Sequence, residues 1–84
     1  MLALDVTIIS PRNVLFKGEA KSVILPGEMG VFEVLPFHKR MMTRLLTGSI
    51  DVDGKLFDIV RGAAKIDRNK VTIVLEEAEP KNEP

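Results

Sequence analysis

Eighty-four residues with twelve basic and twelve acidic side chains, one histidine and no cysteine make one small domain, without disulfides or thiolate metal sites. Zero net charge and the absence of Tyr and Trp remove the basic surface and stacking platforms that nucleic-acid binding needs, and a lone His38 leaves a zinc site short of its usual ligands. No apolar run spans a bilayer, and Met1–Asp5 lacks the basic stretch of a secretory signal, which predicts a soluble cytoplasmic chain.

Period-two alternation then dominates the chain. Leu2, Leu4, Val6 and Ile8 share one parity and predict a half-buried first strand. Ser10-Pro11-Arg12-Asn13 predicts a turn. Val14–Phe16 and Ser22–Leu25 predict two further strands, separated by a polar break from Lys17 to Lys21. Leu25-Pro26-Gly27-Glu28-Met29-Gly30 brings a Pro-Gly turn and a second glycine before a short strand on which Phe32 and Val34 share a face. Pro36 closes that strand, and the only histidine follows it.

Met41, Met42, Leu45 and Leu46 fall at helical spacing, yet only nine residues separate His38 from Gly48. That is too short for a typical helix, so the segment is predicted extended. Asp53-Gly54 between alternating apolar residues predicts a type I′ hairpin in which Val52 pairs with Lys55 and Ile50 with Phe57. Ile50, Val52, Phe57 and Ile59 then line one face. Ala64 and Ile66 lead into a polar turn, Asp67–Lys70, followed by a last strand on which Val71, Ile73 and Leu75 share a parity. Short strands about eight to twelve residues apart predict an all-β flattened sandwich or barrel of about eight to ten strands. The domain is expected over 1–78, with a charged, flexible tail over 79–84.

Catalytic signatures are missing. Gly27-Glu28-Met29-Gly30 lacks the lysine and the following helix of a phosphate cradle, and no G-x-S-x-G elbow occurs. Asp51 and Asp53 flank a hairpin end, where paired carboxylates are usually solvated. Neither a catalytic residue nor a cofactor is expected. Phe37, Met41 and Met42, flanked by Lys39, Arg40 and Arg44, instead read as an apolar patch with a basic rim. For the methionines the competing reading is ordinary core filling, and for His38 a hydrogen-bonded loop position.

Leu25-Pro26-Gly27-x-x-Gly30-x-Phe32-x-Val34-Leu35-Pro36-x-His38, with Thr43 and Gly48 beyond it, resembles the signature of the epsilon subunits of rotary ATP synthases. Asp5-Val6-x-x-x-Ser10-Pro11, Phe16-x-Gly18 and Asn69-x-Val71-Thr72-x-Val74 extend the resemblance over roughly 2–78. It implies a flattened β-sandwich, a non-catalytic part of the central stalk that couples rotation of a proton- or sodium-driven ring to ATP synthesis. Ser10, Phe37, His38, Met41, Met42 and Thr43 would meet the gamma subunit, while Glu28, Met29 and Val31 would lie toward the c-ring. The alpha/beta head would be reached only indirectly. No residue would insert into the membrane, and the complex would stand on the cytoplasmic face of a bacterial inner membrane.

The pattern is broken at Phe37, where the family usually has glycine, and at Arg40, which replaces a common proline. Val31 stands where some relatives carry an acid, and Gly62-Ala63 replaces a Gly-Gly pair. With no amphipathic helical repeat after Leu75, the chain is expected to act without helical self-inhibition and without binding nucleotide. The alternative function is a free-standing β-sandwich that binds a small ligand or a peptide at the Phe37–Met42 patch.

Overall fold

Side chains that alternate between apolar and polar can bury one face of an extended chain, and here that alternation yields nine strands and no helix among the described residues. The computed structural model describes residues 3–76. Leu2 of the first predicted strand and the predicted tail over 79–84 lie outside the described residues. The strands are β1 (Leu4–Ile9), β2 (Val14–Ala20), β3 (Val23–Gly27), β4 (Gly30–Val34), β5 (Met41–Leu45), β6 (Gly48–Val52), β7 (Lys55–Ile59), β8 (Gly62–Asp67) and β9 (Lys70–Leu75). The all-β architecture expected from the alternation is the one observed.

Hydrogen-bonded neighbours run β2-β1-β9-β8-β5-β3-β6-β7, with β4 paired to β3 off this path. β1 runs parallel to β9, and the other pairings are antiparallel. One curled sheet results, with two leaves that share a core. Leu4, Val6, Ile8, Ile66, Val71 and Ile73 come from the first leaf, and Val23, Leu25, Val34, Ile50, Val52 and Ile59 from the second. Each is at most 3% exposed, and burying a side chain of this kind contributes about 1.5–3 kcal/mol. The leaves join where Gly27 of β3 pairs with Leu45 of β5, a corner reinforced by the Leu46 N–H donating to the Pro26 carbonyl at 2.8 Å.

The opposite seam, between the outer strands β2 and β7, is closed by side chains. Phe16 and Phe57 meet edge to face with ring centroids 5.9 Å apart. The Lys55 ammonium lies 5.8 Å from both rings, close enough for cation–π attraction. The Asp53-Gly54 turn secures the same end, with φ of 50° and 93° as a type I′ turn requires. The Asp53 carboxylate accepts from the Lys21 and Ser22 N–H groups at 2.9–3.1 Å. The register is the expected one, Val52 with Lys55 and Ile50 with Phe57.

Two sequence expectations are refined. The polar break at Lys17–Lys21 does not begin where the polarity does, because β2 continues to Ala20 and pairs Lys17, Gly18, Glu19 and Ala20 with Thr7 through Leu4. Lys17 and Glu19 point outward from an edge strand, where charge discourages pairing with another chain. Met41–Leu45 is a strand as expected, since pairing with β8 over five residues satisfies backbone groups that one helical turn would leave open. Of the Gly62-Ala63 pair, only the first demands glycine: a Cβ on Gly62 would lie 2.5 Å from the Val74 carbonyl oxygen. Ala63 faces outward and is exposed.

Candidate docking surface

The β3–β4 hairpin and the segment leading into β5 come together at one end of the sheet. Gly27 pairs with Gly30, which leaves Glu28 and Met29 as the tip, and Met29 is 99% exposed. A Cβ on Gly27 would meet the Phe32 ring at 2.7 Å, so its absence lets that ring lie flat across the hairpin. Phe32 in turn faces His38, with ring centroids 6.3 Å apart and planes inclined by 40°. His38 Nδ1–H donates to the Lys39 carbonyl at 2.7 Å, which in the neutral ring leaves Nε2 as an acceptor.

Gly27–Phe32 on one side and His38, Lys39, Met41 and Thr43 on the other enclose a groove of about 280 Å³ with a mostly apolar lining. A second recess of about 240 Å³, bounded by Glu28, Met42, Thr43, Arg44 and Ala63, adjoins it through Glu28 and Thr43. The structure thus gathers Glu28, Met29, Val31, His38, Met41 and Thr43 around one groove, although the sequence reading assigned them to two partners.

Other candidates stand apart. Met41 and Met42 lie on opposite faces of β5 because side chains alternate along a strand. Met41 packs against the core, whereas Met42 is 74% exposed on the outer face. Ser10 is 4% exposed, and its hydroxyl donates to the Asn13 carbonyl at 3.2 Å while accepting from the Asn13 N–H at 3.1 Å. It follows β1, which lies three strands across the sheet from β5. Its hydroxyl is engaged within its own turn, so what it presents outward is the shape of that turn.

Phe37 occupies the third position of the turn Leu35-Pro36-Phe37-His38, which the His38 N–H closes by donating to the Leu35 carbonyl at 3.1 Å. Proline second and a positive φ third define a type II turn, and Phe37 has φ of 73°. Left-handed backbone costs an L-residue roughly 1–2 kcal/mol. A partial offset comes from Asn69, whose Oδ1 accepts from the Phe37 N–H at 2.8 Å, worth about 0.5–1.5 kcal/mol. The Asn69 carbonyl also accepts from the Asp5 N–H at 2.7 Å, so one residue ties β1, the β8–β9 turn and the Phe37 turn together. Sequence reasoning placed Asn69 in the Asp67–Lys70 turn and in the family resemblance but gave it no site role, because its partners lie 32 and 64 positions away. A polar recess of about 430 Å³ beside it is lined by Asp5, Arg40, Asp67, Arg68 and Lys70 among others. There Arg40 Nε donates to Asp67 Oδ1 at 3.2 Å. Among the described residues, no three His, Asp or Glu side chains are grouped to hold a metal ion.

Fold and surface together define a class: a small all-β sandwich whose distinctive feature is an apolar groove at the end of a hairpin rather than a cluster of reactive side chains. The family model for the beta-sandwich domain of the ATP synthase Delta/Epsilon chain matches residues 3–81, and the chain belongs to that family. It is 38% identical over 85 residues to an ATP synthase epsilon chain of Nitratiruptor sp., covering 95% of this chain and 66% of that one. An epsilon chain of Campylobacter curvus is 40% identical over 80 residues, with 89% and 62% covered. The chain therefore spans somewhat less than two thirds of the length of these relatives. A solved chain from the Euglena gracilis mitochondrial ATP synthase (OSCP/F1/c-ring) superposes with a TM-score of 0.83 at 21% identity, covering 95% of this chain and 54% of that one. At that identity the likeness concerns the fold.

Proposed function

We propose that this β-sandwich is a non-catalytic central-stalk module of a rotary ATP synthase, holding the gamma subunit and resting on the c-ring so that ring rotation reaches the catalytic head. Family membership supplies the assembly, and the observation that carries the assignment of surfaces is the shared groove. Glu28, Met29 and Val31 form its hairpin wall, and His38, Met41 and Thr43 its opposite wall. A subunit wedged between a rotating shaft and a ring needs its two contacts at one end, on elements braced by the same core. β3 and β5, joined at Gly27–Leu45, provide that bracing.

In this proposal the hairpin tip meets the polar loops of the ring, and Phe37, His38, Met42 and Thr43 meet gamma. The ring carries protons or sodium ions, and the complex lies peripherally on the cytoplasmic face of a bacterial inner membrane. No helix of the described residues is long and apolar enough to cross that membrane.

Stripping the subunit from purified synthase and adding it back tests the proposal. Met29→Asp with Val31→Asp changes two side chains that are 99% and 73% exposed, so folding is expected to survive. The variant should rebind but leave ATP hydrolysis poorly coupled to ion pumping. Full coupling with this variant would reject the ring assignment. Failure of the parent chain to rebind the stripped complex would reject the proposal as a whole and return the chain to the class of free-standing ligand-binding sandwiches.

A further inference from the structure

Phe37 combines two features that the fold does not require. It is a bulky residue at φ of 73°, and its side chain is 71% exposed. Strained backbone persists where its surroundings over-determine it, and such positions cluster at binding sites. Here the surroundings can be named. In a type II turn the peptide between the second and third residues is flipped relative to type I. The Phe37 N–H carried by that peptide is the group Asn69 Oδ1 receives at 2.8 Å. Asn69 therefore selects the turn that displays Phe37, and Asn69 is itself held through its carbonyl by the Asp5 N–H.

We propose that Phe37 is a docking knob held outward by the Asn69 latch, and that the partner receives it in an apolar socket with an acidic rim. The inference rests on the reading that this turn meets the gamma subunit of the synthase, and it adds the residue that anchors the contact and the chemistry of what it enters. An exposed phenylalanine returns little to the fold, whereas an aromatic side chain filling a desolvated pocket is the kind of residue that dominates an interface. Holding it in one turn geometry beforehand reduces the ordering cost of binding. The acidic rim follows from charge: Lys39 and Arg68, both exposed, flank the turn directly or through Asn69, and neither forms an ion pair among the described residues.

Rebinding to stripped synthase, measured as affinity and association rate, tests each part. Phe37→Ala and Phe37→Gly should each weaken rebinding about 30-fold or more, the scale of an interface hot spot. Asn69→Ala should weaken it about 5- to 10-fold with Phe37 present and not at all in the Phe37→Ala background, because the latch acts only through the knob. Asn69→Asp keeps the acceptor oxygen and should restore most of the affinity at high salt, where its added charge against an acidic rim is screened. Lys39→Glu with Arg68→Glu should slow association about tenfold at low salt, with the difference shrinking as salt is raised.

Thermal melts of each variant separate loss of fold from loss of binding, and Phe37→Gly removes the knob without straining the turn. Rebinding of Phe37→Gly within twofold of the parent would overturn the knob while leaving the stalk assignment intact. Equal losses from Asn69→Ala in both backgrounds would overturn the latch, and an unchanged association rate would overturn the acidic rim. If the parent chain itself failed to rebind, both the stalk assignment and the knob would fall.

Discussion

Two turns of this molecule meet the same demand for left-handed backbone in opposite ways. At Asp53-Gly54 the demand falls on residues suited to it, and the nearby carboxylates are used internally. The Asp53 carboxylate accepts from Lys21 and Ser22, and Asp51 Oδ1 accepts from the Gly54 N–H at 2.6 Å. At Leu35–His38 the demand falls on phenylalanine, which is held by a distant asparagine and left exposed. The first turn closes the sheet. The second spends stability on presenting a side chain, and that asymmetry is the observation on which the proposed knob at Phe37 rests.

That contrast can be broken most forcefully at the closing end. Phe57→Ala should remove the aromatic pair and one of the two cation–π contacts at the seam and cost about 2–3 kcal/mol, lowering the melting temperature by about 10 °C or more. A shift under a few degrees would mean that the seam is held by backbone alone. Gly54→Val forces a β-branched residue to φ of 93° and should cost about 2 kcal/mol in chemical denaturation. Asp53→Ala, which loses the acceptors for Lys21 and Ser22, should cost about 1.5 kcal/mol by the same measurement.

At the presenting turn the sign should reverse. Phe37→Gly is expected to stabilise the fold by about 0.5–1 kcal/mol, since relief of left-handed strain exceeds the added chain entropy of glycine. A loss of stability would mean that the Phe37 ring supports the fold after all. The smallest effect belongs to the polar recess beside it. Asp67→Asn removes an ion pair whose side chains are 71% and 40% exposed and should change stability by less than about 0.5 kcal/mol, within what salt screens away.

Much of the fold was legible because its signals are local. Leu4-Val6-Ile8 and Val71-Ile73-Leu75 announce strands by parity, and Asp53-Gly54 sets a hairpin whose register agrees with the apolar pattern on both arms. β2 was legible only in part, since Lys17 and Glu19 give the same signal on a protected edge strand as in a loop. The Gly27–His38 stretch pointed to a docking region through its glycines, prolines and lone histidine. Met41 and Met42, adjacent in sequence, were drawn as one patch although a strand must send them to opposite faces.

What the sequence by itself determined was the all-β class, the hairpin register, the family and the residue types at its exposed loops, because each depends on neighbours a few positions apart. Only the tertiary structure decided that Glu28, Met29 and Val31 share one groove with His38, Met41 and Thr43, that Ser10 is enclosed within its own turn, and that Phe37 stands at positive φ under the hold of Asn69. Those facts rest on contacts between residues tens of positions apart, which chain order cannot reveal until the sheet has curled and brought its strand ends together.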